Sequence, residues 1–295
     1  MNYCFIYNPR AGPARDHGRL LGPLQTFIAR HRLDATVIAT TCRGHATELA
    51  AAAVARGCDA VIAVGGDGTM NEVARALVDT PAALGLVPRG SGNGLARHLG
   101  IPMRFPAALD ALLTSRIHPI DSGEANGRSF FSVMGTGFDT AVLSQFELLP
   151  TRGFLTYVTT AARLFFRYRC GTYALTVNGE SLPPRAAFLV CVANGDQLGN
   201  NARLAPGARL DDGRLDLVIV PPLSIFSALP AAARLFAGSV NRVPGLHRHA
   251  IKQLVISRPQ AGPMQVDGEL VNTSADITVC IRPASLRVLV PVTNP

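Results

Sequence analysis

Glycine-rich turns and three carboxylates are the residues of this chain best suited to chemistry. The stretch Ala63-Val64-Gly65-Gly66-Asp67-Gly68-Thr69-Met70-Asn71-Glu72-Val73 passes from an apolar strand pattern, through glycines, into a helical pattern. A helix N-terminus entered through glycines is a ready anion site, because its N–H groups face a ligand that no Cβ holds away. Asp67 adds negative charge there. That suits a cation such as Mg2+, or a reacting hydroxyl beside phosphates; the competing reading makes Asp67 a helix cap. Far downstream, Asp267-Gly268-Glu269 carries two more carboxylates on what Asp-Gly marks as a hairpin turn, where solvated acids are the plain expectation. Asp211-Asp212-Gly213 likewise reads as a turn before the strand Leu215 to Val220.

The elements that must position these residues follow from hydrophobic period. Strands are expected at Tyr3–Tyr7, Thr36–Ala39, Ala60–Val64 and Leu84–Val87, and helices from Leu20, His45, Met70 and Leu95. Such alternation is the pattern of a doubly wound parallel sheet, in which ligands gather beyond the carboxyl ends of the strands. Four loops lie at that edge: Asn8 to Gly12, Thr40 to Gly44, Gly65 to Thr69, and Gly90 to Gly94. Their convergence favours a phosphate site over a plain turn. After about Ser115 the pattern changes to short strands: a hairpin from Ile117 to Met134 around Asn126-Gly127, then Tyr173–Val177, Ala187–Val192, Leu215–Val220, Ala250–Ser257, Ile277–Ile281 and Leu286–Val290. Helices are expected at Phe138–Leu148 and Phe154–Tyr168. The chain therefore reads as an α/β unit over 1–121 followed by an antiparallel β unit over 122–283, with the return of the strand in 284–295 to the first unit left open.

Composition narrows the partners. The 295 residues are 48% hydrophobic and 16% charged with net charge +8, which describes a globular chain biased toward anionic ligands. No basic block with interleaved aromatics resembles a nucleic-acid module, so no nucleic-acid partner is expected. Lys252 is the sole lysine, which rules out a Walker-type Gly-Lys-Ser/Thr loop and leaves phosphate binding to backbone amides. Six scattered cysteines without a Cys-x-x-Cys pair argue against a zinc site and a disulfide scaffold, and fit a cytoplasmic protein. Leu217 to Ala233 is uncharged, but Pro221, Pro222 and Pro230 favour a strand followed by a helix capped by Ser224 over a membrane span.

Taken together, Asn8-Pro9-Arg10-Ala11-Gly12, Gly65 to Val73, Pro88-Arg89-Gly90-Ser91-Gly92-Asn93, Leu210 to Asp216 and Gln265 to Glu269 resemble the diacylglycerol kinase-type lipid kinases, which include bacterial lipid kinases and the sphingosine and ceramide kinases. The resemblance implies an NAD kinase/diacylglycerol kinase-like fold whose second domain is an antiparallel β-sandwich, with the active site in the cleft between the two. It implies ATP binding by Asn8, Pro9, Arg10, Ala11, Gly12, Thr40, Gly65, Gly66, Asp67, Gly68, Thr69, Met70, Asn71 and Ser91, with Arg10 and Arg89 as supplementary cations. Glu269 takes the position of the proton acceptor, with Asp267 as helper; in sphingosine kinases the Gly-Asp-Gly aspartate, here Asp67, has that role. A Mg2+ site is implied at Asp212 with the carbonyls of Arg209 and Arg214. Asn93-Gly94 departs from the Asn-Asp of many bacterial relatives, removing one carboxylate near the metal. The implied partner is a lipid alcohol, met peripherally at the inner membrane face by a cytoplasmic enzyme, with a homodimer left open. Leu155, Tyr157, Val158, Ala161, Leu164 and Phe165 form an apolar helix face rimmed by Arg152, Arg163, Arg167 and Arg169; it serves either an anionic membrane or the protein's own core. An NAD kinase-like phosphotransferase and a non-catalytic nucleotide or lipid binder are the alternatives.

Overall fold

Each early apolar run is closed by a glycine or proline turn and followed by a helical apolar period, so strands and helices alternate. In the computed structural model, which describes residues 1–12, 19–149 and 153–292, these are β1 (Asn2–Tyr7), α1 (Leu21–His31), β2 (Asp34–Ala39), α2 (His45–Ala55), β3 (Ala60–Gly65), α3 (Asp67–Leu77), β4 (Ala83–Pro88), α4 (Gly94–His98), α5 (Phe105–Leu113) and β5 (Ser115–Ala125). There follow β6 (Arg128–Phe130), β7 (Val133–Gly137), α6 (Phe138–Glu147), α7 (Phe154–Phe165), β8 (Gly171–Val177), β9 (Glu180–Ala187), β10 (Leu189–Ala193), β11 (Gln197–Gly199), β12 (Ala202–Arg203) and β13 (Leu215–Val220). The chain continues with α8 (Ile225–Phe236), β14 (His247–Ile251), β15 (Gln253–Ser257), β16 (Gly262–Val266), β17 (Glu269–Thr273) and β18 (Asp276–Pro291). It divides into two compact units, one of Met1–Ile120 with the segment from Ala284, the other Asp121–Pro283.

In the first unit β2, β1, β3 and β4 lie in that order, all parallel. β3 and β4 are buried along their whole length, as parallel strands covered on both faces must be. Val288 of β18 pairs in parallel with Leu84, so the chain's last strand extends this sheet; residues 293–295 lie outside the described residues. Helix α2 presents only alanines inward, Ala46, Ala50 and Ala53, and so packs closely on α3. Register decides the edge. Tyr7 faces both Ala39 and Val64, and Val64 faces Val87, so the loops opening at Asn8, Thr40, Gly65 and Pro88 leave neighbouring strand ends side by side. β1 lies between β2 and β3, which makes the Asn8 and Gly65 loops flank a topological switch point.

The second unit stacks an antiparallel six-stranded sheet, β14-β13-β10-β7-β16-β17, on a second antiparallel layer of β15, β8, β9 and the first part of β18. Met134, Val190, Val192 and Leu217 from one layer meet Leu175, Leu254, Ile256 and Ile277 from the other in its main core. The opposite face of the six-stranded sheet carries a smaller cluster around Cys191, Leu204 and Val218.

Several boundaries differ from the sequence expectation. Helix α3 starts at Asp67, not Met70, with an extended Gly66 as its N-cap. The strand expected through Ser129–Met134 is broken at Phe131-Ser132, and the one expected through Ala250–Ser257 changes layer at Lys252. Strands β9, β11 and β12 arise where none was expected, while β16 and β17 flank the expected Asp267-Gly268 hairpin. β9 contains Pro183 and Pro184, a strand breaker in the middle of a sheet but acceptable at an edge, and β9 is the outermost strand of its layer.

Candidate active site

In the first unit the four loops are tied together by backbone. The N–H of Asn8 donates to Val64 O at 3.0 Å, that of Thr40 to Tyr7 O at 2.9 Å, and that of Arg89 to Gly65 O at 2.7 Å. The Asn8 side chain accepts from the Arg10 amide at 2.9 Å while Ala11 N donates to Asn8 O, which closes Asn8 to Ala11 into an Asx-type turn. Gly66 and Gly90 touch through their backbones: a Cβ on Gly90 would lie 2.7 Å from Gly66 Cα. The Arg89 guanidinium lies against Gly12 and over the Phe105 ring, 5.4 Å from its centroid, so it is held across two of the loops. Arg10 and Ser91 are exposed, and Thr40 is half-buried.

Asp67 is occupied on both oxygens. Asn93 N donates to one and Gly94 N to the other, each at 2.8 Å, so its carboxylate caps α4 and locks the third loop to the fourth. The sequence offered a cap for a helix beginning beside it; the helix capped instead is the one after the next strand. Gly92 must be glycine here, since a Cβ would sit 2.7 Å from an Asp67 oxygen. Glu72 has the same role elsewhere: its two oxygens accept from Gly44 N at 2.9 Å and Ala46 N at 3.1 Å, which fixes the second loop to α3. Thr69, Met70 and Asn71 are buried, and Met70 belongs to the core.

Gly68 behaves differently. It is exposed, its backbone is in the first turn of α3, and a Cβ built on it meets nothing within 4 Å. Neither packing nor backbone angle asks for glycine, and glycine weakens a helix by about 0.5–1 kcal/mol relative to alanine. Open space over first-turn N–H groups, which have no acceptor within their own helix, fits a phosphate approaching the backbone more closely than a methyl group allows. ATP phosphates therefore fit this turn.

In the second unit Asp267-Gly268 forms the hairpin turn between β16 and β17, both residues left-handed at φ 48° and 82°, as a two-residue turn requires. Its acids are not solvated. The Asp267 carboxylate accepts from Phe131 N at 2.8 Å and from Ser132 N and Val133 N at 2.9 Å, and these bonds cause the break between β6 and β7. Glu269 is nearly buried and faces Arg128, whose Nη2 donates to it at 3.0 Å. Gly268 N donates to Gln265 Oε1 at 3.0 Å, and the Gln265 side chain also hydrogen-bonds Asp139. Burial pushes the Asp139 carboxyl up to about 6, against the opposing hydrogen bonds from Thr140, Gln265 and Cys191.

Asp212 is exposed, and one of its oxygens accepts from Arg214 N at 3.1 Å; Arg209 pairs with Asp211 at 3.1 Å. This turn hangs on Asp121, a buried residue the sequence reading passed over, whose carboxylate accepts from Gly213 N at 2.8 Å while its amide donates to Leu210 O. Asn194, equally unforeseen, donates to the carbonyls of Asp121 at 2.8 Å and Phe131 at 3.1 Å. The buried Asp121 and Asn194 and the half-buried Asp267 thus form one scaffold under the Asp212 turn and the Glu269 hairpin. The sequence around Asp121, Ile117-His118-Pro119-Ile120-Asp121-Ser122-Gly123, carries no local signal that this carboxylate is buried and paired. Among the described residues no three His, Cys, Asp or Glu side chains gather as a metal cluster. One carboxylate with backbone carbonyls is nonetheless an all-oxygen donor set, which suits Mg2+ because that ion keeps several waters.

Comparison with known proteins bears on the fold and the family. The diacylglycerol kinase catalytic domain family matches residues 2–125, and the family described as YegS C-terminal NAD kinase beta sandwich-like domain matches residues 132–290. A solved structure of a diacylglycerol kinase from Bacillus anthracis strain Sterne superposes with a TM-score of 0.73 at 21% identity, covering 99% of this chain and 97% of that one, which establishes the fold. Sequence relatives carry the family: a diacylglycerol kinase of Bacillus subtilis is 32% identical over 79% of this chain and 78% of its own length. A Pseudomonas aeruginosa protein named "Probable lipid kinase YegS-like" is 32% identical over 85% of this chain and 83% of its own. The chain belongs to the diacylglycerol kinase-type lipid kinase family, a family of phosphotransferases.

Proposed function

We propose that this protein transfers the γ-phosphate of ATP to the hydroxyl of a lipid alcohol, diacylglycerol or a sphingoid-like molecule. The observation that carries donor binding is Gly68: an exposed glycine in a helix's first turn, with room above it, whose amide neighbours can cradle phosphate. Phosphoryl transfer asks chiefly for positioning and charge neutralisation, and amides held in a fixed loop supply both without reorganisation. Asn8, Pro9, Arg10, Ala11, Gly12, Thr40, Gly65, Gly66, Asp67, Gly68, Thr69, Met70, Asn71 and Ser91 make up the donor site in this reading. Within it Asp67 holds two loops in register and is a positioning residue.

Glu269 is the acceptor base in this reading. Arg128 complements its charge and orients one oxygen, and a carboxylate held in this way can take the proton of an incoming hydroxyl. Asp267 acts through the backbone amides it holds. Asp212, with the Arg209 and Arg214 carbonyls, would hold Mg2+, which when bound neutralises charge on the phosphates. In this reading the lipid is met from the cytoplasmic surface of a bilayer; no helix among the described residues is long and apolar enough to cross a membrane.

The test is incubation of purified protein with labelled ATP, Mg2+, detergent-dispersed lipid alcohols and NAD. Label in an organic-extractable product is the expected result. Label in NADP, or bound nucleotide with no labelled product, overturns the reading.

A further inference from the structure

Helix α8 has no buried residue, although it is twelve residues long and almost wholly apolar. Its outward stripe is Ile225, Phe226, Leu229, Ala232, Ala233 and Phe236, at the spacing of one helical face. Phe226 is 89% exposed and Leu229 74%. Ser224 caps it through a reciprocal bond pair with Ser227, so it is a well-started helix and no frayed end. Its single charge, Arg234, is half-buried on the other side. A helix whose apolar face points outward is the inverse of a solvated surface helix, and something must cover it.

Helix α7 resolves the sequence expectation into two faces. Tyr157, Leu164 and Phe165 turn inward, with Phe165 set against Phe138 and Phe188. Leu155, Val158 and Phe166 point outward, with Arg163 and Arg167 exposed among them. Arg152 lies outside the described residues. α7 and α8 share a support: Phe188, on which Phe165 rests, and Leu235 of α8 both pack on the cluster covering the outer face of the six-stranded sheet. Both helices also fall in stretches without any carboxylate side chain, 148–179 and 217–266.

We infer that the outward faces of α7 and α8 form an interfacial docking surface for an anionic lipid bilayer, with Phe226 and Leu229 inserted among the acyl chains and Arg163 and Arg167 at the headgroups. Exposed apolar residues and arginines on two helices that carry no acid of their own match a membrane carrying negative lipid. They match a second copy less well, because a two-fold interface would bring together two basic helix pairs that carry no acid of their own to offset the charge. The inference rests on the lipid-kinase reading only for why the protein visits a bilayer.

The chain contains no tryptophan, so Phe226→Trp places a single indole reporter on α8 with little change of shape. We expect its emission to shift to the blue on mixing with phosphatidylglycerol vesicles, in the absence of nucleotide, and to shift far less with phosphatidylcholine alone. Phe226→Asp/Leu229→Asp should sediment with the anionic vesicles at least tenfold less than the unaltered protein. Three results overturn the inference: no emission shift with anionic vesicles; unchanged sedimentation of a folded double variant; or a lipid-free shift that rises with protein concentration alongside a dimer mass, which makes a second copy the occupant. None of these readouts needs catalysis, so they fail or succeed independently of the labelled-ATP assay.

Discussion

The hydrogen-bond partners separate carboxylates that hold backbone from one that meets a charged side chain. Asp67 and Asp267 each spend their oxygens on backbone amides, two and three respectively, whereas Glu269 is paired with Arg128. Glu269→Gln should therefore lower turnover by roughly 10^2–10^4-fold, the usual contribution of general-base catalysis, with the ATP dissociation constant unchanged in equilibrium dialysis. Near-normal turnover would remove Glu269 from the base role. Asp139 offers a separate test through pH. Its folded value of about 6 lies above the ordinary 3.8 because burial disfavours the anion, so between those values the native protein holds a proton that the unfolded chain has released. The resulting stabilisation is complete below about pH 4 and is lost as pH rises through 6, about 3 kcal/mol in all. Asp139→Asn should flatten that part of the stability profile, measured by denaturant unfolding of both proteins from pH 4 to 7.

At the scale of elements, the parallel strands deliver four loops to one edge, and glycines let those loops touch. Gly66, Gly90 and Gly92 are required by close contact, but Gly68 is not. Gly68→Ala should raise fold stability by about 0.5–1 kcal/mol while weakening ATP binding about tenfold or more, a loss of at least 1.4 kcal/mol. Thermal melting and nucleotide titration of one variant read both signs. A variant that is more stable and binds ATP as before would show that the space over Gly68 is not where phosphate sits.

For the molecule as a whole, the last strand is decisive. β18 pairs with β15 in the second unit and ends beside Leu84 in the first, where Leu286, Val288 and Leu289 are buried. Deleting residues from Ala284 onward uncovers the β4 edge and removes three core side chains, each worth about 1.5–3 kcal/mol. That total rivals the whole stability of a domain. The truncated protein should be insoluble or lack a cooperative melt by circular dichroism, and a normal melt would count against this role for the strand.

The alternation of apolar runs with glycine turns made the parallel sheet, its loop edge and the antiparallel second half readable from the residues alone, because local period and turn chemistry are properties of neighbouring residues. The Asp267-Gly268 hairpin was readable for the same reason. What each acid does was not. Asp67 caps a helix 26 residues away, Asp267 clamps amides more than 130 residues earlier, and Asp121 carries the turn beside Asp212. Those partners are set by strand order and register, which no local pattern encodes. The same holds for α8: the helix capped by Ser224 was readable from the sequence, and only packing showed that its apolar face is turned outward.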